Sequence, residues 1–402
     1  MRFLRFDPRS TWMATLVTCG ILLSACGVGT TPPGGGSPSA AVPSAAVPSA
    51  AALSGVVKVG SPQSLTGPAA FAGTKIRQGM ELATEEINST KFLGGATISV
   101  NYVDVGATPQ LSTTVTRQMI EQDQVNALVG LVLGGQTPGG AAVAQNGKTP
   151  LILTGGAAPG VTATGDYVTS ASPQQFPYVD KMGQALKNLK VGSTQVLYAQ
   201  DNPTILAQVH TYTDFVFPKY GIKAGLKAYL GTDTDLSAGI AQGMADKVDA
   251  IACLFVGAQG TTCLSQARDA GFKGQLWGQA GFGGGTAIQA GPVAEGLIFT
   301  AGWSQDFTYP ESKKLVQLFQ AKFPGEPMSE FQAAGYDGLW LLARAIKAGN
   351  GTSREAIHAG LLKVLAQGMA AAIGPVVWDK DRNIIAVGAI IQIKSGKETL
   401  FL

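Results

Sequence analysis

The chain has 402 residues, 45% hydrophobic and 14% charged, which is a globular composition too long for one ordinary domain. Its net charge of +3 falls to 26 basic against 25 acidic residues once residues 1–25 are set aside, which leaves no nucleic-acid-binding footprint. Past Leu23 no apolar run approaches the ~18 residues that cross a bilayer, so no membrane-spanning helix is predicted there.

At the amino terminus Arg2, Arg5 and Arg9 precede a short apolar run and then Leu22-Leu23-Ser24-Ala25-Cys26. This is the layout of a lipoprotein signal: a basic region, an apolar stretch too short to be a membrane anchor, and small residues before a lone thiol. Residues 1–25 are therefore expected to be cleaved and Cys26 to carry lipid, several acyl chains adding about 0.8 kcal/mol per buried methylene. Residues 26–55 are rich in Gly, Pro, Ser and Ala, with Ala-Val-Pro-Ser-Ala at 41–45 and again at 46–50. Such a segment cannot bury a core and reads as a spacer.

After it the grammar is strand, loop, helix, repeated. Strands are predicted over 56–60, 98–103, 127–131 and 151–153, with helices over 76–87, 110–122 and 138–146 between them. The alternation restarts with strand 195–198, helix 205–217, strand 224–229, helix 237–244, strand 250–255, a helix over 262–270 and strand 275–277. Helices over 311–322, 329–348 and 353–365 follow, then strands near Val376 and over 386–393. Alternation at this spacing predicts an α/β protein with two doubly wound parallel-sheet lobes. Two cysteines remain in this part, Cys253 and Cys263; export permits a disulfide, and the alternative is a pair of buried free thiols.

Several segments together carry a family resemblance. They are Val57-Lys58-Val59-Gly60 with Leu65-Thr66-Gly67-Pro68-Ala69, Gly79-Met80-Glu81-Leu82-Ala83 running to Glu86-Ile87-Asn88, Ala127-Leu128-Val129-Gly130, Thr234-Asp235-Leu236-Ser237, and Tyr336-Asp337. In this order, over residues 56–402, the chain resembles the type I periplasmic binding proteins that serve branched-chain amino acid ABC importers. The resemblance implies a hinge of three crossovers, with lobe one taking 56–172 and 302–372 and lobe two 173–301 and 373–402. It also implies a ligand in the cleft between the lobes, in keeping with the rule that open parallel sheets bind ligands beyond the carboxyl ends of their strands.

Candidate ligand contacts follow from the loops at those strand ends. Gln136 and Thr137 open a helix after strand 127–131 and are candidates for holding a carboxylate, although Thr137 also reads as a plain cap with Pro138 in the first turn. Gly155, Gly156 and Ala157 offer bare backbone for close approach, or a simple tight turn. Phe71, Phe282 and Trp303 are candidates for the apolar wall, with core packing as the alternative for each. In the resembling family, amino-acid binders place hydroxyl residues in the first two loops and an acid in the second lobe. Here Gly134 stands where a Ser is usual, Ala157 where a Thr is usual, and Ala280 beside Gln279 at the acidic position. A buried ammonium without its carboxylate costs about 2–5 kcal/mol, so the ligand is expected to be a neutral or acidic solute, or an amino acid met by another carboxylate such as Asp201. Thr204 and Gln279 complete the candidate contacts.

Other chemistries find little support. Gly147-Lys148-Thr149 ends like a phosphate loop, but Ala142 replaces its first glycine and a strand follows it; Gly281-Phe282-Gly283 lacks the last glycine of a dinucleotide fingerprint. His210 and His358, the two histidines, have no metal-spaced partner. No enzyme, metal or cofactor is expected. The resemblance implies a lipid-anchored, monomeric binding protein on the outer face of the membrane, with a small molecule, an ABC permease and its ATPase as partners. The alternative is a sensor passing cleft closure to a signalling partner.

Overall fold

A computed structural model describes residues 53–402, apart from Pro68, Ala157, residues 173–175 and the side chains of Phe176 and Pro177. The predicted signal, the lipid-bearing Cys26 and nearly all of the spacer lie outside the described residues. The first pairing begins earlier than expected, since Ser54 of strand β1 (Ser54–Gln63) lies opposite Gly95 of β2 (Gly95–Asp104). Between them runs helix α1 (Ala70–Ser89). Helix α2 (Pro109–Glu121), β3 (Ala127–Gly130), α3 (Thr137–Asn146), β4 (Leu151–Leu153) and β5 (Val168–Ser170) complete the first pass. These five strands form a parallel sheet in the order β2-β1-β3-β4-β5.

Side-chain alternation along these strands serves two different cores. Ala127, Val129 and Ile152 join the core beneath α1, whereas their neighbours Leu128, Leu151 and Leu153 join the core beneath α2 and α3. Both faces are therefore apolar, which is why the strands read as short continuous apolar runs.

The chain then builds a second lobe from α4 (Phe176–Asn188), β6 (Ser193–Ala199), α5 (Pro203–Thr211), α6 (Phe217–Tyr220), β7 (Lys223–Tyr229), α7 (Ser237–Ala245), β8 (Ala250–Leu254), α8 (Ala258–Asp269), β9 (Gln275–Gly278), α9 (Thr286–Gln289) and β10 (Ile298–Ala301). Cys253 in β8 and Cys263 in α8 form a disulfide, with their Cα atoms 5.9 Å apart. Returning to the first lobe, the chain forms α10 (Pro310–Lys322), α11 (Glu330–Gly349) and α12 (Arg354–Gln367). Helix α11 packs directly on α1. A Cβ at Gly79 would lie 2.0 Å from the Gln332 carbonyl oxygen, and one at Gly335 would lie 2.1 Å from that of Ile76, so only glycine permits this approach.

The carboxyl-terminal region corrects an expectation. Strands β11 (Met369–Ala371), β12 (Gly374–Trp378) and β13 (Ile384–Ile385) make a small antiparallel sheet, and Ile373, Val376, Ile384 and Ala386 pack in the first lobe's core rather than in lobe two. The Arg382 guanidinium fixes this segment by donating to the carbonyls of Val168 (3.1 Å) and Gly165 (2.9 Å). The chain crosses over only after Ala386, and β14 (Ala389–Lys394) and β15 (Lys397–Leu400) join the second sheet, ordered β15-β14-β10-β9-β8-β6-β7. Strand β14 runs antiparallel to both β10 and β15, so the parallel second sheet carries an antiparallel edge. Among the described residues no helix is long and apolar enough to cross a membrane.

Candidate ligand-binding cleft

Loops at the carboxyl ends of the strands of both lobes enclose a cleft of about 660 Å³, counting the space open to solvent at its mouth. The first lobe contributes Phe71 at the start of α1, Val132 to Gly134 after β3, Gly156 after β4, and Glu330 and Phe331 at the start of α11. The second contributes Tyr178 on α4, Asn202, Thr204, Ile205 and Gln208 around α5, Val256 after β8, and Gln279 to Gly281 after β9. Phe71 and Phe331 meet edge to face at 5.6 Å and make an aromatic wall.

Of the residues expected from sequence, Phe71, Gly156, Thr204 and Gln279 line this cleft. Gln279 is already engaged: its Nε2 donates to the Phe255 carbonyl and its Oε1 accepts from the Gly281 N–H at 3.1 Å. Ala157 lies outside the described residues.

The other candidates do different work. Gln136 is buried and bonded at both amide atoms, its Oε1 accepting from the Leu133 N–H and the Ser64 hydroxyl, both at 3.2 Å, and its Nε2 donating to the Gly106 carbonyl at 2.9 Å. Thr137 donates to the Gly134 carbonyl (2.9 Å) and accepts from the Ala158 N–H (3.1 Å), so it ties the two loops together beneath the cleft. Gly155 packs on backbone, where a Cβ would lie 2.2 Å from the Val132 oxygen. Asp201 is exposed and turned away, accepting the Gly231 N–H at 2.9 and 3.1 Å. Phe282 is core in the second lobe, against Phe299. Trp303 belongs to the first lobe's core, borders a neighbouring chamber instead of the cleft, and donates its indole N–H to Ser312 Oγ at 2.8 Å.

Glycine at 134 has a local cause. A Cβ there would stand 2.4 Å from Thr204 Oγ1, so the hydroxyl of the opposite lobe occupies the space a serine would use. The free amides at the start of α5 are likewise occupied, since Asn202 Oδ1 accepts from the N–H groups of Thr204 (3.0 Å) and Ile205 (3.3 Å).

Two polar atoms of residues in the wall, the Thr204 hydroxyl and Gln208 Oε1, have no hydrogen-bond partner among the described residues. Glu330 is the single charged residue among the described lining residues. Its carboxylate accepts the N–H of Gly302, yet burial pushes its pKa up from 4.5 to about 7. Burial, and then the charge of Glu330, hold the Tyr178 phenol neutral far above ordinary pH.

Glu330, Phe331, Gln208 and Tyr178 escaped the sequence reading. Ser329 caps α11 with Gln332 as the reciprocal partner, so Glu330 reads as an ordinary acidic first-turn residue. Gln208 left a trace, being a polar residue on the face of α5 that buries Ile205 and Val209. Tyr178 lies on α4, a helix that sequence reasoning did not find.

Twin α/β lobes joined by three crossovers around such a cleft define the type I periplasmic binding fold. Residues 56–398 match the profile of the periplasmic binding protein family, and the chain belongs to that family of extracytoplasmic binding proteins, which are not enzymes. It is 23% identical over 333 residues to Leu/Ile/Val-binding protein homolog 7 of Brucella abortus (strain 2308), covering 77% of this chain and 81% of the relative. It is 25% identical over 319 residues to the leucine-, isoleucine-, valine-, threonine- and alanine-binding protein of Pseudomonas aeruginosa, covering 75% and 81%. Among solved structures, the branched-chain amino acid transporter substrate binding protein LivJ of Streptococcus pneumoniae, in complex with isoleucine, superposes with a TM-score of 0.79 at 23% identity, covering 86% and 99%. A solute binding protein of an ABC transporter from R. palustris, in complex with benzoate, superposes with a TM-score of 0.77 at 22% identity, covering 86% and 96%.

Proposed function

We propose that this chain is the lipid-anchored solute-binding subunit of an ABC importer, holding a small organic solute between its lobes and handing it to a membrane permease driven by an ATPase. The observation that carries this reading is the half-apolar cleft itself, two of whose lining residues, Thr204 and Gln208, keep a buried polar atom without a partner among the described residues. Buried polar atoms without partners are uncommon, and a bound solute is the natural partner for them. The amino acids and benzoate named for relatives set the size range of such a solute. Closure around the solute is the output, because a ligand stabilises the shut form by its differential affinity for it. Anchoring rests on Cys26 behind its apolar run, and the spacer that follows supplies reach from the membrane.

Native mass spectrometry of protein released from its own membranes by detergent tests both parts. The expected species begins at an acylated Cys26 and carries one small molecule that leaves on gentle activation. A chain that retains residues 1–25, or one that never holds a solute, contradicts the corresponding half of the proposal.

A further inference from the structure

The one charged group among the described lining residues is an acid, and of the unpartnered atoms Gln208 Oε1 is an acceptor while the Thr204 hydroxyl can donate or accept. Glu330 stands on the first lobe at the amino end of α11. Across from it, on the second lobe, Gln208 is 4% exposed with an unpartnered Oε1, and Thr204 Oγ1 is unpartnered beside it. No Lys, Arg or His occurs among the described residues that line the cleft. Glu330 and Ala280 also line a smaller neighbouring chamber of about 340 Å³, open space included, where a second carboxylate, Glu398, joins the lining. Glu398 is answered within the protein, by the Gly285 N–H at 2.7 Å and by the charge of Lys75. Among the described residues Glu330 accepts the Gly302 N–H, and no cation pairs with it.

A carboxylate left without a countercharge in a partly desolvated site is costly, and the cost falls when the ligand supplies the charge. On the reading that this cleft binds a small solute, we propose that Glu330 is its specificity-determining residue and that the solute is an organic cation, one that brings a protonated nitrogen to Glu330 and a further donor to Gln208 and Thr204. The acid thus stands on the opposite lobe from the position where the resemblance located it, at Ala280. A simple carboxylate such as benzoate meets a like charge here with no cation to offset it.

The test is calorimetry at pH 8 on the folded, solute-free protein with four matched probes: 3-methylbutylamine, L-leucine, 4-methylpentanoate and benzoate. Native mass spectrometry of the protein as purified identifies any carried solute. 3-Methylbutylamine is expected to bind at least 30-fold more tightly than the two carboxylates, with zwitterionic L-leucine between them. Glu330→Gln, which keeps an acceptor for Gly302, is expected to weaken the amine at least tenfold and to narrow the gap to the carboxylates. Gln208→Leu lies on the other lobe and provides an independent reading if the first variant fails to fold; it is expected to weaken the amine about threefold or more. Tight binding of a carboxylate that Glu330→Gln leaves unchanged, or a co-purified solute without a basic nitrogen, overturns the assignment of Glu330 but leaves solute binding intact. A protein that binds none of the four probes and carries no solute overturns both.

Discussion

Glu330, the acid of the cleft, carries a pH-dependent term in stability. Its folded-state pKa is raised from 4.5 to about 7, so the native chain holds that proton more tightly than the unfolded chain does. The sign follows: stability is greatest where the group is protonated and declines as pH rises between about 4.5 and 7. Asp337, raised from 3.8 to about 7 by burial despite accepting the N–H groups of Ala372 (2.7 Å) and Ile373 (3.1 Å), acts in the same direction. The solute-free protein is therefore expected to unfold at higher urea at pH 5 than at pH 8. Glu330→Gln is expected to recover on the order of 1–3 kcal/mol at pH 8 and to leave the pH 5 midpoint nearly unchanged. Equal effects at both pH values would show that the carboxylate is not held in a desolvated site. At this scale the sequence was informative where chemistry is local: Phe71 after the first strand and Gly156 after the fourth were candidate contacts and line the cleft. Glu330 was not, because an acid in the first turn of a helix is unremarkable until burial is known.

Elements were legible wherever periodicity was strong, and obscured where it was short or interrupted. Strand β4 was read to its exact ends, and α3, α7 and α12 to within two residues, because apolar spacing and end signals agree there. Strands β5 and β10, of three and four residues, carry too little pattern to be seen alone. The helix expected over 205–217 is in fact α5, a π-helical turn over Tyr212–Val216, and α6, with Pro218 in the first turn of the last. Proline lacks the N–H that a continuous ladder requires, and the wider turn precedes it. The Cys253–Cys263 bridge, spanning a sequence separation of 10, ties β8 to α8 beside Val256 in the cleft wall. A loop of that length is worth about 2–3 kcal/mol in restricted unfolded-state entropy. Urea unfolding in the presence of a strong reductant is expected to show a loss of that size; an unchanged midpoint would mean the bridge does not constrain the unfolded chain.

The lobes of the whole molecule touch away from the cleft as well as across it. Lys75 of α1, in the first lobe, donates to the Gly284 carbonyl of the second, and Gly285 beside it rests on Pro327, where a Cβ would come within 2.7 Å. Burial lowers the Lys75 pKa, while the charges of Glu398 and Glu326 oppose that shift. Because this contact joins one lobe to the other, Lys75→Met is expected to favour the open form. A hydrogen bond from a charged donor is worth about 1.5–3 kcal/mol, so solute affinity should fall roughly 10- to 100-fold and the radius of gyration in solution should rise. An unaltered affinity would remove Lys75 from the closing contact. What the sequence determined by itself was the alternation of strand and helix, the twin-lobed plan and the loops that edge the cleft, since these follow from periodicity and turn chemistry along neighbouring residues. Which loop residues line the cleft, where Ile373 to Ala386 pack, and which carboxylate stands uncompensated were decided only by tertiary structure. The physical reason is that desolvation and pairing depend on groups brought together from opposite lobes, as Gly134 and Thr204 are, and no spacing along the chain encodes such a meeting.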